Sequence, residues 1–432
     1  MSIFLNRVRR WISANPAGKK VVVLFFFNGI VAALGLVTQV LITNRLGAED
    51  YGFLTLAVAV GSYSLTVVRY GRERTMLRDL TQHPDDFGRI VGSTFLLGVA
   101  LLLGILCVLF LYGLAVPGTV SPTLLLIVLA MSLCSLDFQP VYDARRQTGR
   151  HAAYMAVHRL TYYASVWTAA LFLPRIFGPA WIGFSMLFGI LIGLFPQYRE
   201  VFRSTRIDLF DPKCLSWVGT TLKKNAGMAL LSILDLVYGP AIVFSLFYWH
   251  GDTATGIYGV ASLFQTAIVL VWTQVARVGN PPMTEIVLPG TSGKRRRTFL
   301  LKYFAALSCA VAPFVTLLFF FPGPVVAMIF RPEFEPAADV LPFFAATAVL
   351  CPFNVIAMQY VLAIRRDAAY ISGVFATTCF GLAACATLIP AYGPVGAGRA
   401  FFLTSLLGTS INLGIMFASI GGRRDEDRSR AR

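Results

Sequence analysis

Apolar runs of about twenty residues, each closed by charge or by Pro/Gly clusters, recur along the whole chain. This pattern limits what the chain can become. A run of ~20 apolar residues makes a helix long enough to cross the ~30 Å hydrocarbon core of a bilayer. In that layer backbone N–H and C=O groups must be satisfied internally, which selects helices. The charged fraction agrees: 13% here, against about 25% in soluble domains. The sequence is read as an all-α polytopic membrane protein. Twelve helices are expected at roughly 20–43, 51–68, 90–112, 122–143, 155–174, 178–196, 224–247, 255–278, 300–321, 338–363, 369–389 and 394–419.

The basic residues test this map independently, because Lys and Arg collect in cytoplasmic loops. With the N-terminus inside, the map assigns 33 of the 37 Lys and Arg residues to cytoplasmic segments. Only Arg45, Arg175, Arg331 and Arg399 fall outside. A missed or invented helix would scramble every downstream loop, so the count is even and both termini are cytoplasmic. The net charge of +16, which in a soluble protein would suggest nucleic acid, is here a topology signal, and no nucleic-acid partner is expected. The basic stretch before the first apolar run resembles the start of a signal peptide. The run from Val21 to Ile42 is too long for a signal core and lacks a small-residue cleavage pattern, so it is read as a retained helix.

The longest polar interval inside the chain separates six helices from six. It gives an N-lobe at 1–196, a cytoplasmic linker at 197–223, a C-lobe at 224–420 and a basic cytoplasmic tail at 421–432. Six of the seven cysteines lie in apolar runs and Cys214 in a polar loop, which matches neither a disulfide framework nor a zinc site. Phosphate-loop, H-E-x-x-H and acidic metal-pair motifs are absent, so neither an enzyme nor a cofactor or metal is expected.

A carboxylate inside a membrane helix costs a few kcal/mol on insertion scales (about 2.5–3.5 at the helix centre), so each one raises a functional question. Two are expected there: Asp137, before Pro140, and Asp235, before Pro240. Both are ion-coupling candidates, and the structural alternative is a hydrogen bond to a neighbouring helix. A proline also removes a helix hydrogen bond, so a kink and a freed carbonyl are expected at each site. In the first helix Asn28 and Gln39 share a face that Thr43 continues and Arg45 ends. Such a stripe suits an anionic, hydroxyl-rich ligand, and it equally suits helix-to-helix hydrogen bonding. Arg45, Arg69, Arg159 and Arg277 sit at expected helix ends, where the planar guanidinium is suited to phosphate or to snorkelling toward headgroups. Asn28, Gln39 and these four arginines are the substrate-binding candidates. The run Lys294-Arg-Arg-Arg297 reads as a topology signal that also suits anionic lipid at the cytoplasmic face.

Four stretches resemble one family. They are Leu46-Gly-Ala-Glu-Asp-Tyr-Gly52, the segment from Gln139 to Tyr163, the segment from Asp235 to Pro282 with its Thr255-Gly-Ile-Tyr-Gly-Val-Ala261, and the segment from Phe330 to Tyr370. In order and position they resemble the polysaccharide-export or O-antigen flippase family of the multidrug/oligosaccharidyl-lipid/polysaccharide exporter superfamily. The resemblance implies a MATE-like pair of six-helix lobes around a cavity that opens to each side in turn. It also implies an undecaprenyl-pyrophosphate-linked oligosaccharide as cargo, moved to the external leaflet for surface polysaccharide (O-antigen, lipopolysaccharide or exopolysaccharide) synthesis. The location would be the inner membrane, with a polysaccharide polymerase and glycosyltransferases as partners. The sequence departs from a cavity lined by arginines, because the middles of its expected helices contain none. The alternatives are a cation-coupled multidrug or small-molecule antiporter of the same superfamily, a membrane glycosyltransferase or polymerase, and a scaffold for envelope assembly.

Overall fold

The computed structural model describes residues 16–116, 120–205, 212–287, 293–364 and 366–430, and no strand occurs among them. In chain order the helices are α1 (Pro16–Leu46), α2 (Ala48–Arg69), α3 (Arg72–Gln82), α4 (Phe87–Ala115), α5 (Pro122–Cys134), α6 (Gln139–Ala144), α7 (Thr148–Phe172), α8 (Pro179–Thr205), α9 (Pro212–Val287), α10 (Gly293–Phe320), α11 (Pro322–Ile329), α12 (Leu341–Ala363) and α13 (Asp367–Arg430). Nine stretches of the described residues are long and apolar enough to cross a membrane. Two of these each hold two crossings, and the more polar α7 adds one, which reproduces the twelve expected helices.

Each doubled stretch turns at a glycine with non-helical backbone, Gly251 (φ 75°) in α9 and Gly393 (φ 54°) in α13. Positive φ is a conformation that glycine adopts without a Cβ clash. In α13 the two arms run antiparallel: Gly373 lies against Ile411, Gly408 against Thr377, and Gly381 against Thr404. In α9 a chain of rings ties the two arms together. Tyr258 is 5.9 Å from Phe344, Phe344 is 5.4 Å from Phe401, and Phe401 is 6.1 Å from Tyr238. An unbroken helix of about 20 residues spans ~30 Å, farther than those three steps, so α9 folds back at Gly251.

The chain forms two compact units, one of Met1–Arg45 with Val60–Ser232, the other of Leu46–Ala59 with Ile233–Arg432. In the first, α1 packs through Val31, Gly35, Thr38 and Ile42, spaced at helical period along one face. Gly35 admits the Tyr163 ring, and Trp167 Nε1 donates to Thr38 Oγ1 at 3.0 Å. Gly189 and Gly193 let α8 close on α7 beside His158 and Tyr162. In the second unit α12 is the most enclosed element, with Phe344, Ala345, Ala348, Val355 and Tyr360 in the core. Gln359, on the same helix, accepts from Tyr303 Oη at 3.0 Å.

The second unit also holds a backbone-on-backbone contact. A methyl group added to Gly52 would collide with the Asp252 carbonyl, and one added to Gly256 would collide with the Ala48 carbonyl. Small residues at such positions let helices approach closely in membranes. Gly256→Val is therefore expected to lower stability by ~1–3 kcal/mol, the range for overpacking a filled interface. Gly104→Ala in α4, where an added methyl meets no atom within 4 Å, is expected to be neutral or stabilising. Thermal unfolding of the purified protein in detergent measures both.

Candidate functional site

The site in the first unit begins with a broken helix. Ser121 caps α5 by accepting from the Leu124 amide at 3.1 Å, and the helix ends at Cys134. It resumes as α6 only at Gln139, with Pro140 in its first turn. Between them the chain is non-helical at 135–138, so carbonyls are freed from the helix hydrogen-bond pattern. Two long side chains take them: Arg72 donates to the Asp137 carbonyl at 3.2 Å, and Tyr198 Oη to the Leu136 carbonyl at 3.4 Å. The rings of Phe95, Phe138, Tyr198 and Phe202, with centroids 5.3–6.3 Å apart, enclose the break. Ser64 of α2 and Ser132 of α5 share a short hydroxyl contact one turn earlier.

Asp137 itself is paired. Its Oδ1 lies 3.6 Å from Arg72 and its Oδ2 lies 3.3 Å from His151 Nε2. Arg72, Asp137 and His151 are 3%, 8% and 8% exposed, so the cluster is screened by little solvent. Arg72 can act here because Gly71 (φ 69°) turns the chain from α2 into α3 and presses against Met228 and Ala229. The His151 ring is also 5.9 Å from Tyr142, whose Oη donates to Glu200 Oε2 at 3.0 Å. Glu200 is held further by Tyr154 (2.9 Å) and Arg150 (2.8 Å).

A second polar site lies wholly in the other unit. Tyr238, Asn354, Tyr370, Thr377, Thr404 and Asn412 are among the described residues lining a cavity of about 250 Å3, and they bring amides and hydroxyls to its walls. Asn412 Nδ2 donates to Asn354 Oδ1 at 2.9 Å, joining α13 to α12 across it. Gly373 and Gly408 leave room beside these groups.

The sequence candidates are distributed unevenly around these sites. Asp137 is at the centre of the first. Arg69 ends α2 three residues before Arg72, partly buried. Gln39 is partly buried, but Thr43 is fully buried and its hydroxyl bonds back to the Gln39 carbonyl at 2.8 Å, so the expected stripe does not continue through it. Arg45 is exposed in the last turn of α1. Arg159 is exposed and lies well inside α7, not at a helix end, because the helix starts at Thr148 through polar residues that hydropathy leaves out. Arg277 is likewise inside α9, which runs on to Val287. The side chains of Asn28, Asp235 and Arg277 lie outside the described residues. Much of the interval expected as a linker at 197–223 is helical, in α8 and the start of α9. The sequence does not single out Arg72 and His151, since nothing local ties them to a residue 65 positions away or to the other's helix.

Two polar sites in a twelve-crossing helical fold define a multi-pass membrane protein, and solved structures that share this fold are transporters. The structure titled lipid II flippase MurJ in an inward closed conformation superposes with a TM-score of 0.69 at 13% identity, covering 91% of this chain and 87% of that one. An inward-facing multidrug resistance MATE transporter of the MOP superfamily gives 0.65 at 13% identity, over 91% and 96% of the two chains. The MATE multidrug transporter DinF-BH, in a ligand complex, gives 0.62 at 14% identity, over 93% and 94%. Residues 17–287 match the family described as polysaccharide biosynthesis protein. The chain belongs to that family, and its fold is that of the MOP superfamily. No match is found among curated protein sequences.

The buried pair makes a stability prediction. Removing one partner of such a pair leaves a charge stranded, at a cost of ~3–5 kcal/mol. Arg72→Met is expected to destabilise by that amount, and Arg72→Met combined with Asp137→Leu to recover part of it, in thermal unfolding of the purified variants.

Proposed function

We propose that the protein carries an undecaprenyl-pyrophosphate-linked oligosaccharide from the cytoplasmic to the external leaflet by alternating access, for surface polysaccharide synthesis. The observation that carries this reading, given the family, is the cavity of the second unit lined by amides and hydroxyls. The amides and hydroxyls of its described walls suit the hydroxyls of a sugar. The polyprenyl tail stays in lipid while the polar head crosses through the protein.

Supporting groups follow from the same chemistry. Arg45, exposed at the end of α1, and Arg69, beside the charge cluster, are suited to the pyrophosphate; Gln39 is suited to a sugar hydroxyl. Asn28, Arg159 and Arg277 remain in the proposed substrate path on their sequence positions alone. Coupling to a proton is assigned to the Asp137–His151–Arg72 cluster, with Asp235 as a second carboxylate. The groups facing His151 are Asp137, Arg72 and Tyr142, with Glu200 behind Tyr142. The protein is placed in the inner membrane with both termini cytoplasmic. Lys294, Arg295 and Lys302, beside Glu285, line an open groove suited to anionic lipid headgroups at that face. A polysaccharide polymerase and glycosyltransferases are the proposed functional neighbours.

The test is reconstitution in liposomes with a fluorescent polyprenyl-pyrophosphate-linked oligosaccharide, following the label's exposure to an impermeant quencher. Asn412→Leu is expected to slow transfer about tenfold, the effect of losing roughly 1.4 kcal/mol of hydrogen bonding, and His151→Gln to remove its dependence on a pH gradient. In cells, Asp235→Asn and Arg45→Ala are each expected to impair surface polysaccharide export while the protein stays in the membrane. Resistance to cationic drugs conferred by the gene, with no transfer of the lipid-linked sugar, would support the antiporter instead.

A further inference from the structure

A third cavity, in the first unit, is not part of either site above. It has a volume of about 270 Å3 and lies where α3, the Pro84–Asp86 turn, the start of α4 and the first arm of α9 meet. Its walls combine an aromatic ring, Trp217, with hydroxyls, an amide, His83 and the charged side chains of Asp79, Asp86 and Lys224. The charges cancel locally: Lys224 Nζ lies 2.9 Å from Asp79 Oδ1, and Asp86 Oδ1 lies 2.7 Å from Arg89. A wall neutralised in this way favours neither a free anion nor a free cation.

Two polar atoms in this wall have no use in the fold. Asn225 is 4% exposed and Thr75 is 3% exposed, and both line the cavity. Asn225 Oδ1 and Thr75 Oγ1 have no hydrogen-bond partner among the described residues. A buried polar atom left unpaired costs ~1–3 kcal/mol, so the pair points to something that fills the space and donates to them. The neighbouring hydroxyls differ: Thr94 Oγ1 is committed to the Ile90 carbonyl at 2.6 Å, and Thr221 Oγ1 lies 3.5 Å from Ser93 Oγ. An amide oxygen accepts only, and a threonine hydroxyl donates or accepts, so the missing partner brings at least one hydrogen-bond donor, which the hydroxyls of a sugar supply.

We infer that this cavity binds one sugar ring. The ring's hydroxyls meet Asn225 Oδ1, Thr75 Oγ1 and the Asp79–Lys224 pair, and its C–H face lies on the Trp217 indole. The size limits the ligand to a single residue, since sites for drug-sized ligands begin at ~300 Å3. The inference rests on the reading that the cargo carries sugar, and it adds a place in the first unit where one residue of that cargo, or a free sugar of the same chemistry, is held.

The experiment is ligand-observed saturation-transfer NMR on the full chain in nanodiscs, with glucose, N-acetylglucosamine and glucuronate as probes. At least one is expected to bind. Asn225→Leu, Thr75→Val and Trp217→Ala are each expected to weaken that binding tenfold or more, with circular dichroism and gel filtration confirming that each variant folds. No binding by any probe to the wild type, or binding equal in all three folded variants, overturns the inference and leaves a water-filled cavity. The liposome transfer assay reads the proposed function separately. Transfer without binding of a free sugar removes this site alone, while binding without transfer removes the proposed function alone. A repeat with the bound sugar joined to polyprenyl pyrophosphate distinguishes the sources: competition with the free sugar assigns the cargo to the site, and its absence assigns a free sugar.

Discussion

A helix that breaks within a buried part of a fold must give its released carbonyls to other protein groups, and the first unit is arranged around that requirement. Pro140 cannot donate to the preceding turn, so the backbone leaves helical geometry at 135–138. An arginine and a tyrosine from two other helices fill the gap. The arginine cannot enter without its own counter-charge, and Asp137 supplies it from the same break. His151 and the aromatic ring cluster then close around a group that would otherwise be costly to bury. The carboxylate has a structural reason for being there as well as a proposed functional one.

In the second unit, several of the described buried or half-buried amides and hydroxyls bond to each other or back to their own helices, as in Asn412 with Asn354 and Thr404 with the Ala400 carbonyl. Neutral groups are far cheaper to enclose than ions, which lets this unit keep a polar cavity open within a core otherwise made of Phe344, Tyr258 and Phe401.

Much of the fold was legible because its strongest determinant is one-dimensional: hydropathy and the position of Lys and Arg need no knowledge of contacts. The beginning of α7 was not legible by that measure, since Thr148 to Arg159 is polar yet helical. Pro140 announced a disturbance near Asp137 but not a break of four residues. The site was legible only where it is expensive. A carboxylate in an apolar run stands out, whereas Arg72 reads as one more basic residue in a basic loop, and His151 as a histidine near a helix start. Asn354 and Asn412, 58 positions apart, have no visible relation until α12 and α13 pack. Pairing across long separations is set by packing, and hydropathy contains no term for it.

The contact of Gly52 and Gly256 has a thermodynamic character unlike the rest of the core. Each glycine faces the other helix's carbonyl with only a Cα–H between, a weak interaction made entirely of main chain. No rotamer is frozen when it forms and none is released when it parts, so side-chain entropy neither opposes nor rewards the event. A seam of this kind can be opened and remade many times without any side chain having to find its place again.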